Sequence, residues 1–210
     1  MHCGRKPSLI VGGSEVTSYS IPWQVSLVKP TSDLPFCGGT LISDRHVLTA
    51  AHCLTKKEWP KRGGWPADVI VGQHRHSTSD GTRHKACRYV NHPQYLTEPA
   101  YLDNDIAILH LAKPVTIGTR VVPACLPKSS MGGDFLVGEP LTVSGWGKTG
   151  NGWRQGDSAV LKSVNVPVVS HAQCQASFNS HDRIISDAKQ ICAGGTKGLD
   201  SCDGDSGGKQ

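Results

Sequence analysis

The sequence predicts an all-β protein in which tight turns connect short strands. Glycine and proline are abundant, at 24 and 13 of 210 residues, and the apolar runs are short. Three of these runs, at 24–28, 68–71 and 141–146, have the composition of strands bounded by turn residues. A chain of this length buries a substantial core, as one compact unit or as two small units packed closely together.

One short stretch favours a helix instead. Residues 170–178 form the best helical candidate, with Ser170 in the N-cap position, where a hydroxyl accepts a free backbone N–H. No span of the sequence is long and apolar enough to cross a membrane. The sequence also shows no internal repeat and no low-complexity tract.

A serine near the end of the printed sequence carries the strongest chemical signal. Residues 199–208 read LDSCDGDSGG, so Ser206 has small neighbours and a substrate carbonyl can approach its backbone closely. The amides of Gly204 and Ser206 would then donate to a developing oxyanion, often the largest catalytic contribution. A serine hydroxyl is a poor nucleophile on its own, so this interpretation requires an adjacent base.

Two upstream motifs supply a base and an acid that orients it. Residues 49–53 read TAAHC and contain His52, and residues 103–109 read DNDIAIL. His52 would take the serine proton and later give it to the leaving amine, while an aspartate holds the imidazole tautomer. Asp103 and Asp105 compete for the role of that aspartate.

In the order His, Asp, Ser, these motifs resemble the chymotrypsin/trypsin family of serine endopeptidases. Other serine hydrolases reach a similar geometry with a different chain order. The resemblance implies a triad of His52, Asp105 and Ser206. Asp105 is preferred over Asp103 because it directly precedes an apolar run, where the family places its buried carboxylate.

The resemblance also implies the fold and its domain organisation. We expect two antiparallel Greek-key β-barrels (chymotrypsin-like) in a protease domain at 10–210, after a propeptide remnant at 1–9. The first barrel would span about 10–120 and the second about 121–210. The family continues past Gly208 with strands that line the substrate site. We therefore expect an incomplete second barrel and little endopeptidase activity from this chain as given.

The cysteines indicate an extracellular protein. The alternative is a cytosolic protein, but eight cysteines are unusual in a cytosolic chain. Residues 1–6 lack the apolar core of a signal peptide, so we expect a secreted protein whose upstream sequence is missing here. The resemblance implies three disulfides, with Cys87 and Cys202 unbridged: Cys37–Cys53, Cys174–Cys192 and Cys3–Cys125.

Activation of a zymogen is a further implication of the resemblance. Cleavage before Ile10 would free an amino group that inserts and pairs with Asp205, because a buried carboxylate needs such a partner. That contact would order the oxyanion loop. Leu9 precedes Ile10, whereas trypsin-type activation uses Arg or Lys there. Either the activator prefers Leu, or the chain is not processed in the usual way.

Substrate preference is implied by an acidic residue six positions before Ser206. In trypsin-like members this position, here Asp200, holds the carboxylate at the base of the primary pocket. A buried negative charge selects a cationic side chain, so cleavage would follow Arg or Lys. The alternative is a solvated loop aspartate.

We expect a monomer that acts on protein or peptide substrates and binds protein protease inhibitors.

Other charged features predict no further site. His74 and His76 flank Arg75 without a third ligand, so we interpret them as an exposed turn rather than a metal site. The corresponding loop binds calcium in some relatives through acidic residues, but Gln73 and Arg83 stand near those positions here. We expect no metal and no cofactor. The net charge of +5 comes without a nucleic-acid motif, so we expect neither nucleic acid nor membrane as partner.

Two functions from different classes remain open. One is a trypsin-like endopeptidase that works through an acyl-enzyme intermediate. The other is a non-catalytic, protease-like binding or decoy domain. The intact triad residues and Asp200 favour the enzyme, whereas the absent pocket walls favour the binding domain.

Overall fold

The computed structural model describes residues 14–54, 67–78, 80–95, 103–127, 136–147, 158–178 and 189–195. Within these ranges the chain is built mostly from antiparallel strands and contains one α-helix. The strands are β1 (Ser14–Glu15), β2 (Gln24–Val28), β3 (Pro35–Leu41), β4 (His46–Thr49), β5 (Asp68–Val71), β6 (Thr82–Asn91), β7 (Ala107–Leu111), β8 (Pro140–Gly145), β9 (Lys162–Val169) and β10 (Cys192–Ala193). The helix α1 is His171–Phe178. The all-β prediction is confirmed.

Six strands close into a barrel in the order β2-β3-β4-β7-β6-β5. Every neighbouring pair in this barrel is antiparallel. Alternate residues of each strand point into the barrel, and fully buried aliphatic side chains fill this interior. These include Val25, Leu27, Leu41, Val47, Val69 and Leu109.

A second sheet lies beside the barrel. Its strand β9 pairs with β8, β1 and β10, all antiparallel. Val143, Val164 and Val166 form a small apolar cluster on this sheet. Strand β1, at the start of the described residues, therefore pairs with the second sheet and not with the barrel. The predicted boundary between the two barrels near residue 120 stays a prediction.

Residues of β2 and of the segment after β5 contact the second sheet. All five residues of β2 are buried, although only alternate ones point into the barrel. Ser144 Oγ of β8 donates to Gln24 Oε1 at 2.9 Å, and Trp146 Nε1 donates to the His74 carbonyl at 3.1 Å. Leu161 and Trp146 are buried in the same apolar cluster as the barrel core. These contacts pack the second sheet against the barrel.

Local sequence signals locate several elements correctly. β2 and β5 match the predicted runs, and β8 begins and ends one residue earlier than predicted. α1 begins where expected, because the Gln173 N–H donates to Ser170 Oγ at 3.3 Å. The exposed-turn prediction for 74–76 is wrong at His74, which is 3% exposed and contacts Glu15 Oε1 through Nε2 at 2.9 Å.

Two predicted disulfides are confirmed. Cys37 bonds to Cys53, and Cys174 bonds to Cys192. Cys125 is also disulfide-bonded; its predicted partner Cys3 lies outside the described residues, as does Cys202. Cys87 is free and exposed, as predicted.

Removing the Cys37–Cys53 bridge is expected to destabilise the protein. The two cysteines are 16 positions apart in sequence. Because a bridge that closes a loop of this size lowers the entropy of the unfolded chain, it raises the free energy of unfolding by about 3 kcal/mol. Denaturant unfolding of a Cys37→Ser/Cys53→Ser variant measures the loss. Cys87→Ser serves as the matched control and should unfold at the wild-type midpoint. Equal midpoints for the double variant and the control would contradict this prediction.

Candidate active site

A short turn at the end of β4 presents His52. After Thr49 the chain enters a single 3₁₀ turn, Ala51–Cys53, in which the Leu54 N–H donates to the Ala51 carbonyl at 2.9 Å. Ala51 and Cys53 are fully buried, and the Cys53 disulfide anchors the turn to β3. The His52 side chain lies between these buried neighbours with 32% of its surface exposed. The turn thus holds the imidazole rigidly while leaving it accessible.

Strand register brings Asp105 to the same place. β4 and β7 are antiparallel neighbours, with Thr49 opposite Ala107. The turn that follows Thr49 and the residues that precede Ala107 therefore lie at one end of the barrel. His52 and Asp105, 53 positions apart in sequence, meet there.

Both carboxylate oxygens of Asp105 accept hydrogen bonds from His52. The backbone N–H donates to Oδ1 at 2.8 Å, and Nδ1 lies 2.7 Å from Oδ2. An ionised carboxylate only accepts hydrogen bonds, so Nδ1 carries a proton, and in the neutral imidazole the lone pair then lies on Nε2. Nε2 lies 3.7 Å from Cys53 Sγ. This tautomer leaves Nε2 able to act as a base.

The surroundings of Asp105 keep it ionised. Burial opposes the charge, but hydrogen bonds from the side chain and backbone of His52, the nearby imidazole and the Ala51 N–H together hold the pKa of Asp105 below its ordinary value of 3.8. The acid therefore stays a carboxylate at neutral pH and can stabilise an imidazolium beside it.

Comparison with known proteins identifies the family. The family model for Trypsin matches residues 10–208. Trypsin-2 of Salmo salar is 37% identical over 202 residues, which cover 95% of this chain and 77% of that protein. Phenoloxidase-activating factor 3 of Holotrichia diomphalia is 35% identical over 98% of this chain and 61% of its own length. The chain belongs to the trypsin family.

A solved structure agrees with this assignment. The structure of neuropsin, a serine protease expressed in the limbic system of mouse brain, matches with a TM-score of 0.77 and 30% identity. The match covers 95% of this chain and 81% of that one. The barrel and second sheet of this trypsin-family chain thus belong to the chymotrypsin-like fold, and by family the chain is a serine protease.

The structure separates the two aspartates of the DNDIAIL motif. The carboxylate of Asp103 lies 3.9 Å from Lys189 Nζ, whereas that of Asp105 contacts His52. Asp103 is also more exposed, at 37% against 18% for Asp105. The geometry therefore favours Asp105, in agreement with the interpretation of the sequence.

Several predicted site residues lie outside the described residues. These are the nucleophile, the other oxyanion donor, the specificity and activation residues: Ser206, Gly204, Asp200, Asp205 and Ile10. Their roles stay predictions. None of the helices in the part of the chain that the structure describes is long and apolar enough to span a membrane.

One cluster beside the site has the residue types of a metal centre. Ligand atoms of Cys37, His52 and Cys53 lie within 4.8 Å of one another. The two sulfurs are bonded to each other, however, so neither is a thiolate, the form in which cysteine binds metals. The cluster therefore lacks the donor set of a metal site while the disulfide is intact.

Proposed function

We propose that this protein is a serine endopeptidase that uses His52, Asp105 and Ser206. The observation that carries the proposal is the paired hydrogen bonding of His52 to Asp105 in a chain of the trypsin family. The lone pair of Nε2 is the feature that a general base needs at neutral pH. Asp105 supplies the orientation and the charge that make this tautomer and its protonated form favourable.

The reaction would proceed through an acyl-enzyme. Ser206 Oγ attacks the scissile carbonyl as its proton moves to Nε2 of His52. The N–H groups of Gly204 and Ser206 donate to the resulting oxyanion, which stabilises the charge where it develops. His52 then gives the proton to the leaving amine. A water then gives a proton to His52 and attacks the ester carbonyl, and His52 returns that proton to Ser206 Oγ as the acyl C–O bond breaks, which releases the carboxylic acid and restores Ser206.

The proposed specificity is for Arg or Lys before the scissile bond, with Asp200 at the base of the pocket. Replacing Asp200 by serine is expected to lower the preference for a basic residue over a neutral one by roughly 100-fold, because a buried charge that rejects neutral side chains is lost. Profiling kcat/KM on a peptide library measures this. Glu139→Ser, at an exposed acidic residue outside the proposed pocket, is the matched control and should retain the basic preference. Preference for large apolar residues in the unchanged protein would rule out Asp200 as the pocket base.

Activation and location follow from the same proposal. The freed amino group of Ile10 would pair with Asp205 and order the oxyanion amides. Extracellular action is supported by the two disulfides of the described residues, because such bonds persist in oxidising compartments. The expected partners are protein or peptide substrates with accessible Arg or Lys, and protein protease inhibitors. A monomer suffices, since all three triad residues come from one chain.

Hydrolysis of a small arginine ester tests the proposed function. The protein is released before Ile10 and assayed both as this chain and as any longer product of the same transcript. If either product hydrolyses the ester and its His52→Ala variant does not, the result supports the proposed endopeptidase. If neither product turns over ester or peptide while both bind protease substrates or inhibitors, the protein is a binding or decoy domain instead.

A further inference from the structure

The residue that precedes Asp105 has an unusual backbone conformation. Asn104 has φ of 58°, and among the described residues only Tyr19 is another non-glycine residue with positive φ. Asparagine is one of the few residues with a side chain that tolerates this left-handed region. Such conformations persist where the surroundings determine them, and they cluster at functional sites.

Hydrogen bonds fix this conformation on both sides of Asp105. The Ile106 N–H donates to the Asn104 carbonyl at 2.7 Å, which closes a tight turn centred on Asp105. The side chain of Asn104 donates through Nδ2 to the Gln94 carbonyl at 3.1 Å. The His92 N–H donates to the Ile106 carbonyl at 2.9 Å. The turn is thereby held against the segment that follows β6.

The turn sets the direction of a carboxylate that must meet two donors at once. The backbone N–H and Nδ1 of His52 lie 2.8 and 2.7 Å from the two oxygens of Asp105. A rotation of the Asp105 backbone would lengthen at least one of these hydrogen bonds. Small misplacements of a catalytic group reduce rates strongly, because the reacting atoms lose their near-attack geometry.

From these contacts we infer that Asn104 is a positioning residue for the proposed reaction. Its left-handed backbone, anchored by its amide on the Gln94 carbonyl, places the Asp105 carboxylate against His52. The inference rests on the proposed function for its catalytic consequence only. The placement of the carboxylate itself can be measured without any turnover.

The test compares two variants with a matched control. Asn104→Ala removes the amide and disfavours the left-handed backbone, whereas Asn104→Gly removes the amide and keeps that backbone accessible. Gln94→Ala retains the accepting backbone carbonyl, so it should behave like the unchanged protein. We expect kcat to fall about tenfold or more in Asn104→Ala and less in Asn104→Gly, with KM nearly unchanged.

NMR of the same variants in a Ser206→Ala background supplies a readout that needs no activity. The proton on Nδ1 of His52 should move upfield in Asn104→Ala, and the pKa of Asp105 should rise towards its ordinary value, as their hydrogen bond weakens. A folded Asn104→Ala with an unchanged resonance and kcat overturns the inference. If that variant does not fold, the same two results for Asn104→Gly decide. Absence of all turnover would overturn the proposed function but leave the NMR result to judge the positioning.

Discussion

Replacing Ser206 by alanine is expected to reduce kcat by on the order of 10⁶ in the product of the transcript that turns over the arginine ester, with little change in substrate binding. Alanine removes the atom that forms the acyl-enzyme, and the base at His52 then has no proton to take. The remaining oxyanion donors and the pocket would still bind substrate. Steady-state kinetics on an arginine peptide, together with a binding measurement for an uncleaved inhibitor, separate the two effects.

The matched control is a serine outside the proposed catalytic segment. Ser177→Ala changes an exposed hydroxyl of α1 and should leave kcat nearly unchanged, because Ser177 is neither a reacting group nor part of the proposed pocket. Turnover by Ser206→Ala close to that of the control would show that the nucleophile lies elsewhere. The assignment of the LDSCDGDSGG motif would then be wrong.

Replacing Asp105 by asparagine is expected to reduce kcat by about 10⁴, the loss typical of this change in a Ser-His-Asp triad. The amide keeps the shape of the side chain but can present an N–H to Nδ1. It therefore favours the tautomer with its proton on Nε2, and that nitrogen can no longer accept the proton of Ser206. Initial rates as a function of pH measure the loss, which should be largest near neutral pH.

Asp103→Asn is the control for this prediction, because Asp103 contacts Lys189 instead of His52. It should retain nearly full activity. The pH dependence of the free energy of unfolding of the Asp105→Asn and Asp103→Asn variants gives a second comparison. The lowered pKa of Asp105 means that its ionised form stabilises the fold above pH 3.8, and this contribution is lost as pH falls through the folded-state pKa. An equal loss of activity in both variants would contradict the assignment of Asp105.

Short-range patterns were sufficient to predict much of the fold. β2 and β5 were identified because apolar and β-branched residues stand between turn residues, and α1 because Ser170 satisfies its first free N–H groups. The burial of His74 was not predictable in this way. Its environment is created by Glu15 and Trp146, which lie 59 and 72 residues away in sequence. Only the packing of the second sheet on the barrel brings them together.

The candidate site shows the same division. The sequence motifs identified His52 and Asp105 as candidates. Their contact, however, depends on the register between β4 and β7, in which Thr49 pairs with Ala107. The sequence alone left Asp103 as a competitor, and the structure favours Asp105, because Asp103 contacts Lys189 while Asp105 contacts His52. Asn104 was not identified from the sequence as a site residue. The signal was present, since asparagine is well suited to a left-handed turn, but no local pattern shows that a turn is needed there.

Activation of Ser206 by His52, which Asp105 orients, is the essential step of the proposed reaction. Its most direct test is labelling with a fluorophosphonate, which reacts with a serine hydroxyl that an adjacent base has activated, followed by mass mapping of the peptides. We expect a single label on Ser206, lost in His52→Ala and strongly reduced in Asp105→Asn, but retained in Asp103→Asn. A label on another serine, or equal labelling of Ser206 with and without His52, would show that His52 does not activate Ser206.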